Sequence, residues 1–332
     1  MSHSNSSLNT FTDCEQKFKL HYIDHKEPTG PVSPHLTFGA MAHEVMYKAG
    51  ILRDCADDKI PSYQSCIPSD LAYPEEASYF KIYSWQKYFT PVIKEVAKIE
   101  KELLQSFNST NVSIEREIKM QLSNEQLEQY GLLSPNLPKL TEPFVGIIDL
   151  LMTTETEAII IDYKFSTKRK DQDDFDNNSQ LYLYAMFVHL LYDIPLHNIK
   201  IGYIDIPKQM FEMPILLKNG TLSRSKSMNV SQDMYIAAVK AVHPDEYEEM
   251  LAPGGYYHDI VNELALNKCA YLTCQYVDEE ICANVVDEII LTAQFIELKK
   301  LNSYPFLRKF DSYSCKNCDY KKYCKPYLTE VF

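Results

Sequence analysis

Apolar positions along the chain fall into stretches of different period. Leu8, Phe11, Phe18 and Tyr22 lie behind Ser4 or Ser6, either of which can cap a helix, and predict one helix over 4–22. A second helix is predicted over 37–53, with Ala40, His43, Val45 and Tyr47 among its members. Pro61, Pro68 and Pro74, set among serines and aspartates, make 57–75 a loop, and a long helix follows over 76–106. Then the period shortens to two. Val112, Ile114, Ile118 and Met120 alternate as in a strand, 143–152 reads as a second strand and the isoleucine-rich 158–164 as a third. The short link Thr153–Glu157 fits an antiparallel hairpin.

An amphipathic helix is predicted over 177–192 and a fourth strand over 198–206. A helix, three strands, a helix and a strand make a mixed α/β core. Beyond it, Phe211–Leu217 reads as a strand, Lys218-Asn219-Gly220 as a turn and Ser223–Ser227 as a polar loop. Residues 243–266 read as helical and 278–302 as a long helix, with no internal repeat or low-complexity tract.

Composition narrows the class. With 332 residues, 45% apolar and 12% aromatic, the chain is globular and long enough to bury a sizeable core. No apolar run is long enough for a bilayer and no basic-then-apolar leader opens the chain, so a non-membrane, cytoplasmic protein is expected. A net charge of −13 counts against nucleic-acid binding as a sum, but binding is local. Lys299 to Lys325 holds eight basic residues against Asp311 and Asp319, a balance of +6, and Lys164, Lys168, Arg169 and Lys170 form a second basic stretch.

Two constellations carry chemistry. Asp149 interrupts the apolar strand FVGIIDLLM, and Asp162 and Lys164 end the next, AIIIDYK. Charges in buried strands are costly unless paired or metal-bound. Side chains alternate along a strand, so Asp162 and Lys164 share a face, and a hairpin lets Asp149 meet it. Two carboxylates and a lysine suit Mg²⁺ or Mn²⁺, and equally a buried Asp–Lys ion pair. The second constellation is Cys315-x₂-Cys318-x₅-Cys324, three of nine cysteines. Cys14 is the natural fourth thiolate, provided that the fold joins the two ends. Four thiolates accept zinc or a [4Fe–4S] cluster.

Asp149 followed by Asp162-Tyr163-Lys164 resembles the signature of the PD-(D/E)XK nucleases. Two further matches resemble its RecB-like branch: His43 in Gly39-Ala-Met-Ala-His43, and Gln180-Leu-Tyr-Leu-Tyr184, whose ends share one helix face. Asp162 replaces the commoner glutamate, and Ile148 stands where the motif's proline would be. The resemblance implies a restriction-endonuclease-like mixed sheet flanked by helices, with helical N- and C-terminal extensions. It implies that His43, Asp149, Asp162 and the Tyr163 carbonyl bind Mg²⁺ or Mn²⁺. Lys164 would position the water, while Gln180 and Tyr184 hold substrate or orient the lysine. Glu115 or Glu117 is a candidate auxiliary acid. The cysteines at 14, 315, 318 and 324 resemble the iron–sulfur staple of the AddB nuclease domain and of CRISPR-associated adaptation exonucleases, which favours [4Fe–4S] over zinc.

The expected protein is one nuclease domain: a helical N-terminal region over 1–110, a catalytic core over 111–206, an insertion over 207–277, and a C-terminal helix with iron–sulfur segment over 278–332. Its expected activity is metal-dependent DNA exonuclease action in recombination, repair or phage DNA processing, in the host cytoplasm if phage-encoded. Single-stranded DNA, or DNA with single-stranded ends, is the expected substrate. The alternatives are an iron–sulfur DNA-binding subunit that does not cleave and a zinc-stapled structural protein. No G-x-x-x-x-G-K-[ST] is present, so unwinding would come from a helicase or recombination partner.

Overall fold

The structure is a computed structural model that describes residues 2–29, 33–55, 63–67, 85–165, 172–206, 210–212, 226–228, 232–266, 269–309, 312–316 and 318–324. Seven strands are described: β1 (Ser113–Leu122), β2 (Phe144–Thr153), β3 (Ala158–Lys164), β4 (Ile199–Asp205), β5 (Met210–Glu212), β6 (Lys226–Met228) and β7 (Tyr271–Tyr276). Five form one sheet in the order β1-β2-β3-β4-β7, and β5 and β6 pair separately. β3 and β4 are parallel and the other pairs antiparallel. Ile159, Ile160 and Ile161 on the central strand β3 are buried, as expected where helices cover both faces.

Helices α1 (Asn5–Asp13) and α2 (Glu15–Phe18) open the chain, followed by a π-helical turn over Lys19–Ile23. α3 (Pro34–Asp54) and α4 (Trp85–Gln105) pack on one face of the sheet, where Phe38, Met46, Phe89, Ile93 and Val96 meet Leu150, Ile159 and Ile161. α5 (Asn124–Gln129) follows β1, and α6 (Gln172–Asp176) and α7 (Ser179–Tyr192) make the crossover from β3 to β4. α7 is buried almost all round, from Leu181 to Val188, between the other sheet face and a long C-terminal helix.

α8 (Gln232–Val242), α9 (Tyr247–Leu251) and α10 (His258–Leu266) gather round their own small core of Tyr235, Val239, Tyr257, Val261 and Leu264. α11 (Glu279–Leu301) is that long helix, and α12 (Ser312–Lys316) precedes the last cysteines.

Several readings change. The helix over 177–192, read as amphipathic, is buried almost all round, and Lys226 and Ser227, read as polar loop, open β6. The predicted helix over 4–22 breaks at Cys14, which is extended at φ −164° and ψ 106°. Its N–H closes α1 on the Thr10 carbonyl while its own carbonyl starts α2 by accepting from Phe18. The bend returns the chain to the C-terminal segment, where Gln16 N donates to the Leu307 carbonyl at 3.0 Å. The stretch 207–277, read as an insertion, ends in β7, which pairs with β4 as an edge strand of the main sheet. Residues 271–275 are all half-buried, so neither face is clearly apolar and the alternation is faint. The region 243–266 is two helices, separated at Gly254, whose φ is +85°. The expectations for 57–62, for 68–84, for Met213–Gly220, for Ser223–Ser225 and for Lys168, Arg169 and Lys170 fall outside the described residues. Among the described residues no helix is long and apolar enough to cross a membrane.

Candidate active site

A fault in strand alternation creates the site. On β1, Ile114 packs on the α3–α4 side, whereas Ile118, Met120 and Leu122 pack on the α7 side, although all are an even number apart. On β2, Phe144 and Ile148 face α7, Leu150 and Met152 face α3 and α4, and Leu151 faces α7. Both strands therefore lose their period of two at one level. The register passes from Arg116↔Leu150 to Ile118↔Ile148, which leaves Glu117 and Asp149 as facing positions. Glu117 carries the cost, with a left-handed φ of +48°.

The β2–β3 ladder stops one step earlier, at Leu150↔Ile161. In the gap, Asp149 Oδ2 accepts the Tyr163 N–H at 2.8 Å. Across the sheet on α3, His43 Nδ1 lies 3.3 Å from the same oxygen. Burial pulls the imidazole down, but the hydrogen bond and charge of Asp149, with Asp162 beyond, raise it above its ordinary value.

Asp162 is buried, with Oδ2 2.5 Å from the Lys164 ammonium. Burial pushes its carboxyl up to about 6; Lys164 opposes this and Asp149 adds to it. Lys164 Nζ also donates to Gln180 Oε1 at 3.3 Å and lies 5.5 Å from the Tyr203 ring centre. Gln180 Nε2 donates to the Tyr184 hydroxyl at 2.8 Å. Burial raises that phenol to about 12, against the hydrogen bonds of Gln180 and of the Ile147 backbone. Gly146 lets α7 sit this close, because a Cβ there would meet the Tyr184 and Phe187 rings.

His43, Asp149, Asp162, Tyr163, Lys164, Gln180 and Tyr184 thus meet at one end of the β2–β3 gap. Of the two auxiliary candidates, only Glu117 stands there. Its carboxyl is raised by partial burial and by the charges of Asp149 and Glu44, against His43. Glu115 points the other way and accepts the Tyr192 hydroxyl at 3.0 Å.

A support that the sequence reading missed lies behind the site. The Tyr163 hydroxyl donates to Glu100 Oε1 at 2.6 Å, and Glu100 is gripped by Arg53 at 2.8 Å and Arg116 at 2.7 Å. Burial raises this carboxyl, but Arg53 and Arg116 together hold it below the usual carboxylate range. Arg116 also binds Asp54 at 2.6 Å and lies where a Cβ on Gly50 would be. Tyr163 is therefore pinned at both ends. The available signal was Glu100 itself, a charge on the apolar stripe Ile93, Val96 and Leu103.

The four cysteines come together at the joined ends. Burial pushes the Cys324 thiol up; Arg308 opposes it, and Cys14, Cys318 and Cys315 each add to it. Cys14, Cys315 and Cys318 border a cavity of about 280 Å³ with Lys17 and Lys309. Cys318 Sγ accepts the Tyr320 N–H at 3.4 Å.

The two donor sets differ in kind. Hard carboxylate oxygens, one of them the buried Asp162 Oδ2 with no hydrogen-bond donor beyond its ion pair, suit Mg²⁺ or Mn²⁺. Soft thiols beside lysines suit zinc or an anionic iron–sulfur cluster. Neither set is contracted round a centre: among the described residues no three His, Cys, Asp or Glu side chains are close enough to hold a metal.

A family model described as the PD-(D/E)XK nuclease superfamily matches residues 2–325. No curated protein matches. Among solved structures, a crystal structure of a "Putative exonuclease" from Eubacterium rectale is similar over 98% of this chain and 88% of its own, at 9% identity and a TM-score of 0.47. A crystal structure of SSO0001 is similar over 86% of this chain and 96% of its own, at 12% identity and a TM-score of 0.26.

Proposed function

Because this chain belongs to the PD-(D/E)XK nuclease superfamily, and so is a nuclease in fold and family, we propose that it is a Mg²⁺- or Mn²⁺-dependent deoxyribonuclease of the RecB-like kind, acting from DNA ends. The observation that carries the reading is the convergence of His43, Asp149, Asp162 and Lys164 where β2 leaves β3.

Asp149, Asp162, His43 and the Tyr163 carbonyl would hold the cation, with Glu117 as an auxiliary acid. Bound there, a divalent metal supplies Lewis-acid polarisation of the phosphate and lowers the pKa of an attacking water. Lys164, beside Asp162 at 2.5 Å, would orient the water and stabilise charge on the phosphate. Gln180 holds Lys164 from the far side, and Tyr184 holds Gln180, so the lysine is fixed before substrate arrives. Glu100 fixes Tyr163, and through it the carbonyl offered to the metal.

Cys14, Cys315, Cys318 and Cys324 would hold a [4Fe–4S] cluster, with zinc as the rival occupant. The cluster would lock the two ends of one nuclease domain, with the catalytic core within 111–206. Recombination, repair or phage DNA processing is the proposed setting, with a separate helicase supplying unwound ends, in the cytoplasm.

The test is cleavage of end-labelled single- and double-stranded DNA by anaerobically purified protein in Mg²⁺, Mn²⁺ or EDTA, beside Lys164→Ala. Cleavage that needs the metal and is lost in the variant supports the reading, and the product ladder gives polarity. DNA binding without cleavage by fully loaded protein would sink it. Iron and zinc content, with absorbance near ~400 nm for thiolate-bound iron–sulfur, decides the cluster.

A further inference from the structure

The alternation fault at Glu117 and Asp149 has a second effect. Before it, the α3 side of β1 and β2 is roofed by α3 and α4. Past it, the residues that should turn to that side are bare. Lys119 and Gln121 on β1 are exposed, and Ile147, paired with Lys119, is 53% exposed. Val145, paired with Gln121, is half-buried. Their neighbours Met120, Leu122, Phe144, Gly146 and Ile148 are buried on the α7 side. A central strand, one edge inward, thus shows a large aliphatic side chain to water. Lys119 forms no ion pair among the described residues, although Glu117 and Asp149 lie one step away.

The bare surface continues the active site. Ile147 and Lys119 stand two residues, about 7 Å, from Asp149 and Glu117. The Ile147 backbone also contacts the Tyr184 hydroxyl. A lysine beside a flat aliphatic patch fits a polymer that alternates phosphates with sugars and bases.

We propose that the β1–β2 face beyond Glu117 and Asp149 is the track on which the nucleic-acid strand flanking the scissile phosphate lies. Lys119 meets a backbone phosphate, Ile147 and Val145 pack on sugar and base, and Gln121 offers a hydrogen bond further out. The proposal rests on the nuclease reading for its occupant, but its test does not require cleavage.

Binding of a fluorescent single-stranded oligonucleotide is measured by anisotropy in EDTA over a range of salt. Lys119→Glu and Ile147→Glu should each weaken binding by roughly tenfold. Lys119→Ala should lower the slope of log affinity against log salt by about 0.7, the loss of one single-strand phosphate contact. Lys98→Glu, the same charge change at an exposed position on α4, should shift affinity less than about twofold. Unchanged melting of the variants shows that they fold. Equal effects from Lys98→Glu and Lys119→Glu, no effect from either face variant, or no binding by the parent protein would each overturn the track. Weakened binding in a protein that never cleaves would keep the track and sink the nuclease reading. Cleavage with unaltered binding would do the reverse.

Discussion

At Asp162, burial pushes the carboxyl up to about 6, above its value in an unfolded chain. The folded state then holds the proton more tightly, so this group's contribution falls as pH rises through 6. Asp162→Asn should therefore stabilise the metal-free protein at pH 8 by about 3 kcal/mol, with the gain gone below about pH 4. The same change should abolish cleavage. Urea melts of both proteins in EDTA check the sign, and a loss of stability at pH 8 would refute it. At the neighbouring position on β1, Glu117→Gln should reduce cleavage and raise the metal requirement, whereas Glu115→Gln should leave both unchanged. Metal titrations of activity separate the two. Asp149, Asp162 and Lys164 were legible because charges inside apolar strands are conspicuous. The choice between Glu115 and Glu117 was not, because strict alternation puts both on one face, and only the left-handed residue at 117 parts them.

At the scale of elements, the spacing between β2 and α7 sets the reach of Gln180 and Tyr184. Gly146→Ala puts a methyl group where the Tyr184 and Phe187 rings lie. It should cost about 1–3 kcal/mol by overpacking. It should also lower the cleavage rate more than it raises the DNA concentration needed, because Gln180 moves away from Lys164. Thermal melting and steady-state kinetics on one preparation test both halves. Most helices and strands of the core were legible, β3 as an unbroken apolar run, but α7 was read as amphipathic, whereas it is buried from Leu181 to Val188 between the sheet and α11. The break at Cys14 was hidden because Leu8, Phe11 and Phe18 stay apolar across it. β7 was hidden because an edge strand with half-buried residues leaves little alternation to read.

Across the whole molecule, buried charges tie the ends to the body. Glu297 on α11 binds His3 at 3.1 Å, Lys300 at 2.8 Å and Thr141 at 2.9 Å. Burial raises its carboxyl, yet the bonds from His3, Lys300 and Thr141 hold it down at about 2. A depressed carboxyl stabilises above its unfolded value and loses that contribution as pH falls toward its folded one. Glu297→Gln should cost about 3 kcal/mol at pH 7, a difference that shrinks from pH 4.5 downward. Equal penalties at pH 7 and pH 3.5 in denaturant melts would refute the assignment. That the two ends meet was an expectation from the cysteines alone, and His3 gave no sign of its role because its partner lies 294 residues away.

That separation bears on the order in which the chain folds. His3 needs Glu297, Glu15 needs Lys299 and Leu307, and Thr29 needs the Asp319 carbonyl. These long-range ties therefore close late, while His3 and Asn5 can already pair with Pro143, Val145 and Ser179, and His43, Asp149, Asp162 and Lys164 find partners nearer in sequence. The ties between the two distant segments are the last to settle. Until they close, Phe11 and Phe18 lack the cover that Phe295 and Phe306 give them, so this seam is the expected place for local opening in the folded protein.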